Sequence, residues 1–135
     1  MSYEELKEKF NDFFSLEEKN IAILHLRISE FNLKKYKSCR DEFVQYIVFV
    51  LLKVKEINKR KNNFSDFNVY MNGANSKNFS PVYLKQIINI LDPMLEDEII
   101  QNVYLHDLNN FMRKVFVIIK PFFHKETVGK FCIVN

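Results

Sequence analysis

Glycine and proline are scarce in this chain, with two glycines and three prolines among 135 residues. That leaves no material for a Gly/Ser linker, a collagen-like repeat or a glycine-rich phosphate loop. Cysteine is as thin: Cys39 and Cys132 lie 93 positions apart and make no CxxC or other zinc spacing. Long apolar runs are missing too. The two most apolar stretches, 43–52 and 115–123 (the second broken by Lys120-Pro121), fall well short of the ~20 residues needed to cross a bilayer. The opening Met1-Ser-Tyr-Glu-Glu-Leu-Lys-Glu8 is acidic where a secretory signal is basic and then apolar. Charge of one sign is also absent. Twenty basic residues against 17 acidic leave +3, too little by itself to argue for nucleic acid. A soluble, reduced, cytoplasmic protein with no transmembrane segment is the expectation.

What is present is a core. Hydrophobic residues make up 47% and charged residues 27%, the balance of a globular protein, and 14 Phe with 6 Tyr make its interior aromatic. The length fits one domain over 1–135. Tyr3, Leu6, Phe10, Phe13 and Phe14 recur at helical steps between acidic residues, which predicts an N-terminal helix over 1–19. Branched apolar residues at 21–28 predict a strand. Ser38-Cys-Arg-Asp41 has the form of a capping box, and Phe43, Ile47, Val50, Leu51, Val54 and Ile57 carry a helix to the basic stretch at 59–63. Phe67 to Met71 alternates as a second strand closed by Asn72-Gly73. Ser80-Pro81 starts a helix through Leu84, Ile87, Ile88 and Leu91, and Asp92-Pro93 restarts one through Glu96 to Glu98. A third strand follows at 102–106. A helix over 109–119 has Phe111, Val115, Ile118 and Ile119 on its apolar side and ends at Pro121. A last strand runs over 131–134. This alternation predicts an α/β fold: a mostly parallel sheet of about four strands, with crossover helices, forming the core over 20–135.

The two-residue period of strands sorts the side chains. One face of the expected sheet is uniformly apolar. The other carries His25, Arg27, Tyr70, Tyr104 and His106, a semi-polar face that is open to solvent, covered by the N-terminal helix, or used by a partner. It reads as a candidate ligand or protein surface, and equally as an ordinary half-exposed sheet face. No two of His25, His106 and His124 stand at metal-ligand spacing, and no carboxylate pair accompanies them, so neither a metal site nor acid–base catalysis is expected. His124 reads as solvent-facing. Cys39, at the start of a helix, lacks a base and an oxyanion site, and Cys132 reads as core packing. No P-loop, Rossmann glycine pattern, G-x-S-x-G or HExxH occurs. The chain is expected to be no enzyme and to carry no cofactor. The lysines and arginine at 34, 35, 37, 53, 55 and 59–61 read as a solvated face that also caps a helix.

The C-terminal half resembles the CRAL-TRIO lipid-binding domains. The family's strand ending in an Asp-x-x-Gly step is matched by Val69-Tyr70-Met71-Asn72-Gly73, with Tyr70 at the aspartate. Its Tyr-rich strand, helix and Lys/Arg-Pro-Phe step are matched by Val103-Tyr104-Leu105-His106, Phe111 and Lys120-Pro121-Phe122-Phe123. Thr127 and Lys130-Phe131 follow in the family's order. The resemblance covers about 20–135, with its specific motifs in 67–131. His106 places it nearer the BCH-like branch of GTPase regulators and scaffolds, and the sequence breaks off after the last strand, before the family's gate helix. The resemblance implies a non-catalytic module binding a lipid or another small hydrophobic ligand. Phe111 joins the apolar wall, and Lys120, Arg27 or His106 meets a head group. The alternative is a protein-interaction scaffold, meeting a protein partner or a second copy as a homodimer, that has lost the lipid pocket. The candidate ligand-binding set is thus His25, Arg27, Tyr70, Tyr104, His106, Phe111 and Lys120. Peripheral membrane contact is compatible with either reading, and nucleic acid through Lys53 to Lys61 ranks last.

Overall fold

The computed structural model describes residues 1–78, 80, 82, 85, 86, 88–90, 92 and 99–134. Five strands form one sheet: β1 (Phe14–Glu18), β2 (Ala22–Arg27), β3 (Ser65–Tyr70), β4 (Ile100–His106) and β5 (Phe131–Val134). They lie side by side in the order of the chain. β1 is antiparallel to β2, and every later neighbour pair is parallel. The helices are α1 (Tyr3–Phe10), α2 (Leu33–Ser38), α3 (Arg40–Lys61), α4 (Asn110–Ile119) and α5 (Lys125–Val128), with a 3-10 turn at Lys120–Phe122. Between β3 and β4, Val82, Lys85, Gln86, Ile88, Asn89, Ile90 and Asp92 are helical.

Strand order decides which face is covered. Three successive crossovers step across the sheet in one direction, and right-handed crossovers that do so all lay their helices on the same face. Burial follows that rule. Leu24, Phe67 and Val103 share one row across the sheet, Leu26, Val69 and Leu105 the next, and all six are buried among helix residues such as Phe43, Val50, Met112 and Val115. Their alternates, His25, Arg27, Asn68, Tyr70, Tyr104 and His106, are all half-buried.

The tightest packing is beside β1. Phe10 sits 5.3 Å from Phe43 and 5.4 Å from Tyr36, and Tyr36 meets Phe43 edge-on at 4.6 Å. Such edge-to-face pairs add to the area they bury. The Tyr46 hydroxyl donates to the Phe14 carbonyl, tying α3 to β1. Burial pushes the Tyr36 and Tyr46 phenols well above their ordinary pKa.

Several expectations need correction. The N-terminal helix stops at Phe10, not 19, and Phe14–Glu18 is a fifth strand paired from Phe14↔Leu26 to Glu18↔Ala22. The acidic helical pattern runs on to Asp12, but Phe14-Ser-Leu-Glu alternates and Lys19-Asn20 turns the chain, so a hairpin wins. Ser38 does not cap α3. It closes α2 with its hydroxyl on the Lys35 carbonyl, whereas Asn32 caps α2 and Asn109 caps α4. Cys132 pairs with Tyr104 on the polar face rather than in the core. Ile118 is 55% exposed, and the buried side of α4 is led by Met112 and Val115. The expected helical positions Pro81, Leu84, Ile87 and Leu91, and the segment 93–98, lie outside the described residues.

Candidate functional site

Beside α4 the packing gives way to a cavity of about 120 Å³. Its floor is the apolar sheet face, Leu26, Phe67, Val69, Val103 and Leu105, and its lid is the inner side of α4. Phe111, Met112, Val115, Phe116 and Ile119 recur there at steps of one, three and four, a stripe turned toward the sheet. Phe13, Phe31 and Ile88 close the remaining sides. Two polar residues reach the lining, Asn78 and Ser80. The Asn78 amide is already committed, donating to the carbonyls of Ser29 and Phe31 at 3.0 Å each. No charged side chain lines the cavity among the described residues. The residues outside that set include no Lys, Arg or His. The lining is therefore apolar, and no cation stands in it.

Of the seven candidate residues, Phe111 alone lines this cavity. His25, Arg27, Tyr70, Tyr104 and His106 occupy the opposite face of the sheet, and Lys120 opens the 3-10 turn after α4 with its side chain exposed. A head-group role for Arg27 or His106 toward this cavity is therefore corrected by the sheet that stands between them.

Four of those residues do converge with one another. Tyr70 stacks between two imidazoles, 5.7 Å from His25 and 4.8 Å from His106, with ring planes within 18° and 16°. The Tyr70 hydroxyl bonds His25 Nδ1 at 2.8 Å, and Asn68 Oδ1 bonds His106 Nε2 at 2.7 Å. The Arg27 guanidinium lies 5.4 Å from the Tyr70 ring centre, and its Nη1 donates to Ser15 Oγ at 3.3 Å. Cross-strand register explains the column, since Arg27↔Tyr70 and Tyr70↔His106 are direct partners. Tyr104 shares the face, opposite Asn68 and Cys132. Beyond Arg27 an open depression carries Lys7, Asp12, Glu17 and Glu30, both signs of charge, and so selects neither anion nor cation.

A polar knot fixes α5 and the residue that precedes it. Asp92, 5% exposed, accepts from the buried Thr127 hydroxyl at 2.8 Å and from His124 Nδ1. His124 is thus held by a carboxylate although its side chain is 55% exposed. The Thr127 hydroxyl, fully buried, is committed to its hydrogen bond with Asp92. The sequence holds the parts, Asp92 and Thr127, but the 35 positions between them hide the contact. No cluster of three metal-ligating side chains occurs among the described residues, and no helix there is long and apolar enough to cross a membrane.

The family model described as CRAL/TRIO domain matches residues 8–135. The crystal structure of Sfh5 superposes with a TM-score of 0.68 at 15% identity, over 93% of this chain and 50% of that one. At that identity the likeness establishes the fold, and the chain spans half the length of the structure it matches. No curated protein matches.

Proposed function

Because this chain belongs to the CRAL/TRIO domain family, a family of lipid-binding modules, we propose that it is a non-catalytic domain holding a lipid tail or another small hydrophobic ligand between the sheet and α4. The observation that carries this reading is the apolar lining of the cavity, which holds no charged side chain among the described residues. Size refines it. A cavity of about 120 Å³ is near the ~150 Å³ that takes a benzene-sized guest and below the ~300–1,000 Å³ of pockets for drug-sized ligands. The ligand enters in part, as a short apolar segment, each methylene contributing about 0.8 kcal/mol.

Native mass spectrometry of gently purified protein, followed by solvent extraction, tests this. One apolar molecule per chain is expected, lost when Val115→Phe or the milder Val69→Leu fills the space. Protein that neither carries nor takes up a medium-chain fatty alcohol, with both variants folded, overturns it.

The sheet face opposite α3 and α4 favours a second reading, a protein-interaction scaffold of the BCH-like kind. The half-buried His25, Tyr70, Tyr104 and His106 supply aromatic area with hydrogen-bonding groups, the composition of an interface centre. Under this reading Tyr70→Ala abolishes self-association measured by analytical ultracentrifugation and leaves ligand uptake intact. Two free cysteines suit a reducing, cytoplasmic setting for either role.

A further inference from the structure

Helix α3 buries one side, with Phe43, Ile47, Val50, Val54 and Ile57 in the core. Its outer side has a period of its own. Asp41, Gln45, Val48, Leu52, Lys55 and Lys59 follow one another at alternating steps of four and three, and all are exposed. That repeat is the contact stripe of a coiled coil, laid here along about 27 Å of helix. The middle of the stripe is apolar, Val48 being 46% exposed and Leu52 57%. One end is acidic, at Asp41, and the other basic, at Lys55 and Lys59.

Charges beside the stripe are committed within the chain. Glu42 pairs with Lys9, Arg60 and Lys61 pair with Glu18, and the Lys53 ammonium lies 4.4 Å from the Tyr3 ring centre. Asp41, Lys55 and Lys59 take part in no ion pair among the described residues. Glu56 flanks the stripe rather than lying on it. The helix is also preformed. A stripe this short would not hold two free peptides together, but the buried side already fixes α3 as a helix, so docking carries no cost of helix formation.

We propose that this stripe is a surface for a second copy of the chain: two α3 helices pack antiparallel about a two-fold axis that passes between Val48 and Leu52. In that register Val48 meets the partner's Leu52, Gln45 meets the partner's Lys55, and Asp41 meets the partner's Lys59. The two-fold repeats each contact. The stripe is thus its own complement, apolar on apolar and acid on base. A parallel pair would set Asp41 on Asp41 and Lys59 on Lys59. Nucleic acid would engage the basic end and leave Val48 and Leu52 without a counterpart. No α3 residue lines the cavity, and α3 lies across the sheet from the face of Tyr70. The inference therefore goes beyond both functional readings and stands without either.

Sedimentation velocity of the full chain from about 5 to 500 μM tests it, a range that brackets the weak affinity of a contact burying under about 1,200 Å². A dimer is expected to grow in with concentration. Leu52→Asp sets a carboxylate in the apolar centre twice over and should leave monomer across the range. Val48→Ser should raise the Kd about tenfold. Both residues are exposed, so helical content by circular dichroism should not change. Asp41→Lys should also raise the Kd about tenfold, since two surface pairs turn from attraction to repulsion. Adding Lys59→Asp should restore the dimer, because the exchanged charges match again. An effect on the α3 dipole alone would instead worsen with the second change. Val117→Ser, on the exposed side of α4, is the control and should change nothing. Monomer throughout the range overturns the proposal and leaves the stripe to a helix of another protein. A dimer that survives Leu52→Asp, or a charge exchange that restores nothing, overturns it as well. If that surviving dimer is lost with Tyr70→Ala, self-association belongs to the sheet face.

Discussion

On the β1 side of the sheet, Phe10, Phe13, Tyr36, Phe43 and Tyr46 interlock with ring centres 4.6 to 5.8 Å apart, and cations are tied to carboxylates such as Glu18 and Glu42. On the β5 side, α4 stands off far enough to leave a cavity, and its outer residues, Arg113 and Lys114 among them, are exposed. Both flanks are helices laid on one face of the same sheet, antiparallel at β1–β2 and parallel at β4–β5. One flank contributes rigidity and the other keeps volume and charge available, which is how a small domain remains stable while holding an imperfectly packed site.

The largest test of that contrast is a pair of truncations read by urea denaturation. Phe10→Ala should cost about 3–5 kcal/mol, since it empties a filled core, whereas Met112→Ala, beside space already present, should cost about 2 kcal/mol. Equal losses would break the comparison. Next comes the knot on the β5 side. Asp92→Ala leaves the buried Thr127 hydroxyl without its acceptor and should cost about 2 kcal/mol. Adding Thr127→Val should recover part of this, because the orphaned hydroxyl is then gone.

Smaller, and opposite in sign, is Val115→Leu. One methylene placed in the cavity should stabilise the fold by about 0.8 kcal/mol and weaken uptake of the fatty alcohol, whereas over-packing beside Phe10 should destabilise. Smallest of all is Arg60→Ala. The Arg60 guanidinium, hydrogen-bonded to Glu18, holds that carboxyl below its usual range. A depressed carboxyl contributes stability above its unfolded pKa and loses it as pH falls through the folded value. The variant should therefore raise the Glu18 titration midpoint toward the ordinary range, read by NMR, and barely change stability at neutral pH.

The sheet's polarity was legible from two-residue alternation: His25, Arg27, Tyr70, Tyr104 and His106 do share one face. The long α3 was equally plain from its apolar spacing. The hairpin strand β1 was not, because five residues beside an amphipathic helix share enough of its pattern to read as continuation. The cavity was hidden for a different reason. Its wall draws on segments scattered from Phe13 to Phe131, and empty volume between them leaves no trace in periodicity. The polar residues of the strands lie across the sheet from the cavity. The column around Tyr70 is held together by its own hydrogen bonds, while the cavity announces itself only through Met112, Val115 and Phe116, residues that sequence pattern assigns to core.

The sheet's strand order has a consequence for how the chain assembles. No strand must insert between two already in place. β2 closes on β1 through a short turn, and each later strand joins the edge left by the one before it. As synthesis proceeds from the N-terminus, α1, β1, β2 and α3 can bury the aromatic cluster before β4 has emerged. Each addition then requires one crossover loop to close rather than a rearrangement of the whole. The flank with the open cavity is thus also the last to be made, laid against a foundation that is already set.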